Sequence, residues 1–579
     1  MVYKVGAVKA CAGLVCISFI AALSGCNSDD SAQSGTSTSA SAGSAAVSSS
    51  SAGTTASKGT TTSTGTTTST GTTTSTGTTA SGTSGSSAGS TAAAQLPAAT
   101  SKASSLVTNY NGADACLPLT MPSADTLFAS TKKVFAHYFL PFPLSLDNVT
   151  PVNDYYNTQY LNLHGESNKW LAQGGYLRQR PVGITPNSNA DWELLNMEAE
   201  VRSAIARGIT GFTFDVMSTS EAVGSGSPLS LMLSAAQAVD SRFKIVVMPD
   251  LTALGSNSSA VVQIITAVAS SPAAYRLSDG RLVVSAFDAS LNSAAWWQSV
   301  LSQLSAKGIS VAFVPTFLGW ATNAAAFAPI SYGFSDWGTA TAIASSQLQV
   351  APGTAHSSYG KIFMMPVDPQ QFRPKDFLYW EAGNSSAFRA AWASSIQGDA
   401  DWVQVVTWND YSESGQISPY TDATLRTDIG TGYYDLNGYY AAWFLTGQQP
   451  QITHDVLYYF YRREPTTAPA PAQSKKSAIA SGTGTPENEI ELVAFLTAPG
   501  VLKITIGGNT YTQNAAAGVV SFKIPSQPGT PLFTLSRNGS DVFSFTGGVY
   551  IEGSGGLPSG VQDLTYWSGS AAKTGMCAL

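Results

Sequence analysis

The stretch WVQVVTWNDYSES occupies residues 402–414 and indicates how this chain is built. Its first part, residues 402–408, is a β-branched and aromatic run without helix formers, which predicts a β-strand. The strand gives way to a polar loop that carries two carboxylates, Asp410 and Glu413. Barrel enzymes present acid and base groups in this way, at the C-terminal ends of buried strands. For an isolated Asp-x-x-Glu the alternative is a surface turn with two solvated acids, so the rest of the chain must decide.

Seven further apolar runs of the same kind precede this strand. They lie at 133–139, 210–217, 243–249, 281–287, 309–317, 330–335 and 361–367. Helices are predicted by the amphipathic stretches at 191–208, 228–240, 257–275, 290–307, 322–329, 340–348, 385–397 and 437–446. Strands that alternate with helices predict an α/β fold, a (β/α)8 barrel of the TIM type, with a doubly wound sheet as the alternative. Short alternating runs between 489 and 549 predict a small C-terminal β-sandwich.

The start of the chain has the pattern of an export signal. Two early lysines precede an apolar run over 10–23, and Leu-Ser-Gly-Cys follows at 23–26. That ending resembles a bacterial lipobox, which implies lipidation of Cys26 and anchoring in the cell envelope, at the outer membrane or cell surface. An ordinary signal peptide that contains a cysteine is the alternative. Residues 27–104, rich in Ser, Thr and Gly, predict a disordered tether.

These patterns divide the chain into five predicted parts. They are a signal peptide at 1–26, the tether at 27–104, a catalytic barrel at 105–464, a Pro/Ala/Ser/Gly linker at 465–488 and a β-sandwich accessory domain at 489–579. Once the signal and lipid cysteines are set aside, Cys116 and Cys577 remain. An even pair in an exported protein predicts a disulfide, and two free thiols are the alternative.

Charge and composition exclude several classes of function. The net charge is −7, and Lys475-Lys476 is the one basic cluster that stands out, so neither nucleic acid nor a basic membrane patch is predicted. The four histidines lie far apart in sequence without metal-ligand spacing. We therefore expect no cofactor, no metal and membrane contact only through the anchor, and we expect a monomer.

Acidic and aromatic residues follow the predicted strands with unusual consistency. In chain order the strand ends carry His137, Asp215, Asp250, Asp288, Asp336-Trp337, Asp368 and the 408–413 loop. Helix caps or turn carboxylates are the alternative for each one, and fit Asp288 and Asp368 best. Glycoside cleavage needs one carboxylic acid and one carboxylate, and aromatic rings stack on sugars. The rings placed for that are Trp320, Trp337, Trp380, Trp408 and Tyr411.

Five segments together resemble glycoside hydrolase family 71, the mutanase-type endo-α-1,3-glucanases. They are FAHYFLP (135–141), ITGFTFDVM (209–217), SYGFSDWG (331–338), IFMMPVDPQ (362–370) and VQVVTWNDYSES (403–414). The resemblance implies an inverting, metal-free barrel hydrolase whose catalytic pair falls on Asp410 and Glu413. Ser412 departs from it, since the family usually has Gly there.

Within this resemblance we expect Glu413 to be the general acid and Asp410 the base that activates water. Sugar hydroxyls and rings should be held by His137, Asp215, Asp250, Asp336, Trp337, Trp408, Asn409 and Tyr411. The alternatives are hydrolysis of another α-glucan or of an α-mannan, and a non-catalytic glycan-binding protein at the cell surface.

Replacement of Cys26 tests the predicted anchor. Cys26→Ser should abolish incorporation of a labelled fatty acid and release the protein from membranes, because a lipid chain anchors without spanning the bilayer. Hydrolytic activity should remain. A wild-type protein that takes up no label in the same bacterial host would disprove lipidation.

Overall fold

The computed structural model describes residues 116–422 and 429–576. The predicted signal peptide, tether, Cys26 and Cys577 lie outside these residues. Cys116 is disulfide-bonded. Within the two described ranges no helix has both the length and the apolar character needed to cross a bilayer.

Eight parallel strands close into a barrel. They are β1 (Lys133–Tyr138), β2 (Gly211–Val216), β3 (Lys244–Pro249), β4 (Leu282–Ala286), β5 (Val311–Phe317), β6 (Gly333–Asp336), β7 (Ile362–Val367) and β8 (Trp402–Val405). Each strand pairs with the next, and β8 pairs with β1, where Lys133 lies opposite Trp402. The predicted (β/α)8 barrel is confirmed, and the doubly wound alternative is wrong because the sheet closes.

Helices surround the barrel. They are α1 (Ala124–Ala129), α2 (Trp192–Ile205), α3 (Pro228–Val239), α4 (Ser258–Val268), α5 (Ala294–Ala306), α6 (Trp320–Phe327), α7 (Ala342–Gln347), α8 (Ser386–Gln397) and α9 (Gly432–Thr446). Side chains of Ser227, Asn257 and Ser293 cap α3, α4 and α5 by accepting backbone N–H bonds. Shorter helical turns lie at Leu251–Leu254 and Ala351–Thr354.

The helix bounds differ most from prediction at the end of α4 and the start of α9. Helix α4 ends at Val268 rather than 275, because Pro272 cannot continue it and Ala274 instead bridges to Ile245. Helix α9 begins at Gly432 rather than 437. Nearly all of its residues are buried, so its sequence has no polar face to mark the start.

The barrel interior is filled in layers. Apolar side chains occupy the N-terminal end: Phe135, Val246, Val283, Ala312, Val314, Met364 and Trp402. Small buried hydroxyls follow, among which Ser285 Oγ lies 3.2 Å from Thr316 Oγ1. Met248, Trp337 and Val406 pack together at the C-terminal end. Filled layers leave no pore, so any ligand must bind above Trp337 rather than within the barrel.

Two antiparallel sheets follow the barrel. Their strands are β9 (Val456–Arg462), β10 (Glu489–Leu496), β11 (Gly500–Ile506), β12 (Asn509–Ala515), β13 (Gly518–Pro525), β14 (Leu532–Arg537), β15 (Ser540–Thr546) and β16 (Tyr566–Ala572). One sheet has the order β13-β10-β9-β16 with Gly575–Met576 at its edge, and the other has the order β12-β11-β14-β15. Side chains from both sheets, including Leu492 and Phe533, share one apolar cluster.

The other face of the first sheet packs against helix α9. Tyr433 of α9 lies 4.9 Å from the Phe460 ring of β9, and Tyr439 lies 4.8 Å from the Phe495 ring of β10. Residues 465–488 also contact the barrel loops, because Ala478–Ile479 pairs with Leu378–Tyr379. These contacts join the C-terminal sheets to the barrel through buried side chains.

A buried ion pair lies at this junction. Arg207, just after α2, donates to Asp435 Oδ1 of α9 through Nε (3.0 Å) and Nη2 (2.8 Å). Ser570 of β16 donates to Asp435 Oδ2 at 2.6 Å. Asp435 therefore links α2, α9 and the C-terminal sheet.

Removal of this carboxylate should destabilise the whole fold. Asp435→Ala leaves the buried Arg207 cation without its counter-charge, which costs about 3–5 kcal/mol in the free energy of unfolding. Urea denaturation measures the change. The control is Asp399→Asn, which removes the charge of the exposed Lys132–Asp399 pair of 2.8 Å at a residue whose φ of +52° Asn also tolerates, and it should cost less than about 1 kcal/mol. Equal losses in the two variants would contradict the junction's importance.

Candidate active site

The loop after β8 is tied back to the barrel by its own backbone. Thr407 N–H donates to Gly415 O at 2.7 Å, and Trp408 N–H donates to His137 O at 2.8 Å. The peptide bond between Val406 and Thr407 is cis. The two hydrogen bonds hold the 407–415 loop above the C-terminal end of the barrel.

Asn409 fastens this loop to the loop after β1. Its Oδ1 accepts from Phe139 N–H at 2.7 Å, and its Nδ2 donates to Phe139 O at 3.0 Å and to Phe142 O at 2.8 Å. All of its hydrogen-bonding capacity is thus directed at backbone. The predicted sugar contact for Asn409 does not fit this geometry, because the amide already serves as a brace.

Asp410 presents its two carboxyl oxygens to different surroundings. Oδ1 accepts three hydrogen bonds, from Ser412 N–H (2.9 Å), Ser412 Oγ (2.8 Å) and Glu413 N–H (3.2 Å). Oδ2 accepts none from the described residues. A proton on this carboxyl therefore belongs on Oδ2, where it is free to be donated.

Glu413 is held by the loop after β7. Its Oε2 accepts from Gln371 Nε2 and from Arg373 Nη2, both at 2.7 Å. The Phe372 N–H also donates to Glu413 O at 2.8 Å. Two side-chain donors on one oxygen, one of them cationic, stabilise the ionised carboxylate.

The two carboxyls are consequently shifted in opposite directions. Burial, followed by the charge of Glu413, raises the pKa of Asp410 to about 6. Burial also acts to raise the pKa of Glu413, but Arg373, Lys375 and Gln371 outweigh it and hold that pKa below its ordinary value. Between the two values the stable arrangement is a protonated Asp410 beside an ionised Glu413. This reverses the expectation from sequence, which made Glu413 the acid.

His137 and Trp337 form the floor beneath this pair. The His137 ring contacts the Trp337 ring edge-on at 4.8 Å, and Trp337 contacts Phe287 at 4.6 Å. Burial lowers the pKa of His137 to about 3, and the charge of Glu413 opposes that shift only in part. His137 is therefore neutral at physiological pH and lies near Glu413.

The remaining strand-end acids surround the pair in a connected ring. Burial raises the pKa of Asp215 well above its usual range, with further increases from the charges of Asp250, Glu221 and Asp410. Burial and the charges of Asp336 and Glu413 do the same to Asp368. Since only nearby charges act in this way, these acids lie at the same end of the barrel as the pair.

Several of these acids also have structural partners. Asp250 Oδ1 accepts from Thr252 N–H (2.7 Å) and caps a short helix. Asp336 Oδ2 accepts from Trp320 N–H (2.7 Å), and its Oδ1 accepts from Gly338 N–H (2.9 Å). Ser290 Oγ donates to Asp288 Oδ1 at 2.8 Å. The capping alternative thus applies to part of the ring, whereas both oxygens of Asp215 are buried without a partner among the described residues.

Gly338 permits the close approach of Asp336 and Asp368. Its φ is +85°, and a Cβ at this position would lie 2.4 Å from Asp368 Oδ2. Glycine is therefore required both by backbone conformation and by space.

The aromatic residues divide into two groups. Trp408 is 1 % exposed and packs on Phe212, while its Nε1 donates to Glu200 at 3.3 Å. Tyr411 is equally buried and its hydroxyl lies 2.8 Å from Ser418 Oγ. The prediction that these two rings stack on sugar does not fit, because both are enclosed in protein.

The partly exposed Trp380 lies beside the catalytic candidates. The Arg373 guanidinium lies over its ring at 5.1 Å from the centroid. Trp320 packs against Phe363 at 4.9 Å and is buried. Trp380, partly exposed beside the Arg373 that pairs with Glu413, is the ring best placed to contact a ligand, whereas Trp337 is 9 % exposed.

Sequence reasoning missed Gln371 and Arg373. They follow β7 directly, in a loop whose position at the catalytic end of the barrel was already implied by the strand order. That placement is the signal that could have identified them. Only the folded structure brings them to Glu413, which is 40 residues from Arg373 in sequence.

Comparison with known proteins places this chain among glycoside hydrolases. The model of Glycosyl hydrolase family 71 matches residues 185–578. Glucan endo-1,3-alpha-glucosidase agn1 of Schizosaccharomyces pombe is 27% identical over 375 residues, which cover 62% of this chain and 87% of that protein. Mutanase Pc12g07500 of Penicillium rubens is 23% identical, over 63% of this chain and 83% of that protein.

Among solved structures, the chain is similar to a GH99 endo-alpha-mannosidase from Bacteroides thetaiotaomicron. The TM-score is 0.40 and the identity 15%, over 54% of this chain and 97% of that one. This likeness is too low to carry an argument about function. The family match covers more than half of the chain, and the chain therefore belongs to glycosyl hydrolase family 71 and is a glycoside hydrolase.

Proposed function

We propose that this protein cleaves internal bonds of α-1,3-glucan by an inverting mechanism, with Asp410 as general acid and Glu413 as general base. The observation that carries the proposal is the opposite polarisation of two carboxyls three residues apart on one loop. Asp410 has an unoccupied Oδ2 and a raised pKa, whereas Glu413 is ion-paired with Arg373 and has a lowered pKa.

Asp410 Oδ2–H protonates the glycosidic oxygen as the bond from that oxygen to C1 breaks. Glu413 takes a proton from a water molecule as the water oxygen bonds to C1 from the opposite face. The products are a shortened glucan with a free non-reducing hydroxyl and a hemiacetal of β configuration. Asp410 is left ionised and Glu413 protonated, and exchange with solvent restores both.

The α-1,3-glucan substrate is supported by the names of the relatives. Besides the two described above, the ascus wall endo-1,3-alpha-glucanase of Schizosaccharomyces pombe is 22% identical, over 63% of this chain and 89% of that protein. Trp380 supplies a partly exposed stacking surface beside Arg373, and His137, Asp215 and Asp250 supply polar groups at the same barrel end. A neutral His137, and an Asp215 whose pKa burial raises well above its usual range, suit contact with uncharged hydroxyls.

Export and lipid anchoring through Cys26 belong to the same proposal. The polysaccharide is insoluble and lies outside the cell that degrades it, so an enzyme held on a surface by residues 27–104 would meet its substrate there. The apolar run before Cys26 and the Ser/Thr/Gly-rich composition of that segment support this arrangement.

A substrate panel tests the activity. We expect reducing ends to be released from insoluble α-1,3-glucan, with little release from starch, dextran or α-mannan. Proton NMR of the first product should show the β-anomer, because a single displacement inverts an α-linkage. Reducing ends released from α-mannan alone would show that α-1,3-glucan is not the substrate. An α-anomer as the first product would show that the enzyme does not invert.

Variants of the pair test the assignment of roles. Asp410→Asn and Glu413→Gln should each reduce turnover of α-1,3-glucan by several orders of magnitude. With an aryl α-glucoside whose leaving group needs no proton, Asp410→Asn should recover most of its activity while Glu413→Gln should not. The reverse pattern would restore Glu413 as the acid.

The pH dependence of the hydrolysis rate tests the same assignment of roles. The wild-type rate should fall above about pH 6 as Asp410 ionises, and should fall at low pH as Glu413 gains its proton. Arg373→Met removes the cation that lowers the pKa of Glu413, so the acidic limb should move to higher pH. An acidic limb that stays in place would show that this ion pair does not set the ionisation of Glu413.

A further inference from the structure

A cavity lies at the end of the barrel that carries Asp410 and Glu413, outside the ring of strand-end acids. It is bounded by the loop after β1 and by the first turns of α2 and α3, and its volume is about 300 Å³. Neither Asp410 nor Glu413 lines it. The volume is at the lower end of the range typical of small-molecule sites, which is roughly 300–1,000 Å³.

The lining combines apolar surface with a few polar groups. Trp192, Pro143, Met197 and Leu231 supply the apolar part, and Asn196 and Glu200 supply hydrogen-bonding atoms. Sugar rings need this combination, because their C–H faces pack on aromatic rings while their hydroxyls need donors and acceptors. Trp192 is partly exposed, so its ring is available to a ligand.

Asn196 indicates that the cavity is built for a polar ligand. The residue is 6 % exposed, and its buried Nδ2 has no hydrogen-bond partner among the described residues. A buried donor without a partner costs free energy, and native structures contain few of them. A hydroxyl oxygen in the cavity would satisfy this donor.

Glu200 connects the cavity to the catalytic loop. Its carboxyl accepts from Tyr138 Oη at 2.8 Å and from Trp408 Nε1 at 3.3 Å. Burial raises the pKa of Glu200 to about 7, so it is largely protonated in mildly acidic solution and then suits an uncharged ligand. A ligand in the cavity would therefore contact Glu200, which is hydrogen-bonded to Trp408, two residues before Asp410.

We propose that this cavity binds a glucosyl unit of the polysaccharide at a second carbohydrate site, outside the cleft where the bond is cut. The proposal rests on the proposed function for the identity of the sugar. A second point of attachment would hold an insoluble chain near the catalytic pair and raise its effective concentration there.

Binding and hydrolysis should separate in variants of the cavity. We expect Trp192→Ala and Asn196→Ala, in the full chain, to weaken adsorption to insoluble α-1,3-glucan by about three- to tenfold. Their rate on the polymer should fall by several-fold more than their rate on a short α-1,3-linked glucose oligosaccharide. Trp192→Phe, which keeps an aromatic face, should retain most of the binding.

Trp296→Ala is the matched control, since Trp296 is a partly buried tryptophan in the first turn of α5 and does not line the cavity. It should leave adsorption unchanged. Cavity variants that melt like the wild type yet adsorb normally would overturn the proposal, and so would equal losses on polymer and oligosaccharide. Failure of the proposed function would look different: the wild type would hydrolyse neither substrate, while adsorption would still decide whether the cavity binds glucan.

Discussion

The ion pair between Arg373 and Glu413 is the interaction on which the proposed chemistry of this barrel depends. Buried carboxyls in close proximity favour protonation, and burial raises the pKa of Asp215, Asp250, Asp336, Asp368 and Asp410 alike. Glu413 escapes this trend because a guanidinium and an amide donate to one of its oxygens. One acid whose pKa is lowered among several whose pKa values are raised creates the difference that general acid–base catalysis requires.

Polar side chains that hydrogen-bond to the backbone hold the loops of this site in position. Asn409 gives its whole amide to the backbone after β1, and Asp336 gives both oxygens to backbone N–H groups. Side chains fixed in this way orient their neighbours, so the catalytic loop keeps its geometry without regular secondary structure. The cost is that these residues are no longer available for substrate.

The C-terminal sheets contribute by packing rather than by reaching the pair. The sheet that contains β9 covers helix α9 with aromatic contacts and with the Asp435 hydrogen bond to Ser570. Helix α9 in turn packs against the barrel, where Tyr434 contacts Trp408 at 6.3 Å. The region after the barrel therefore supports the outer side of the catalytic loop.

Local sequence determined the eight strands, most of the helices and the position of Asp410 and Glu413 on a loop after the last barrel strand, because periodicity and β-propensity are properties of neighbouring residues. It also indicated the acids at the strand ends. It could not decide which acid is ionised, because the pKa of Glu413 depends on Gln371 and Arg373 from another loop. Nor could it separate Trp337, which floors the site, from Trp408, which is enclosed behind it. Tertiary structure decided both, since burial and charge act through space between residues that are distant in the chain.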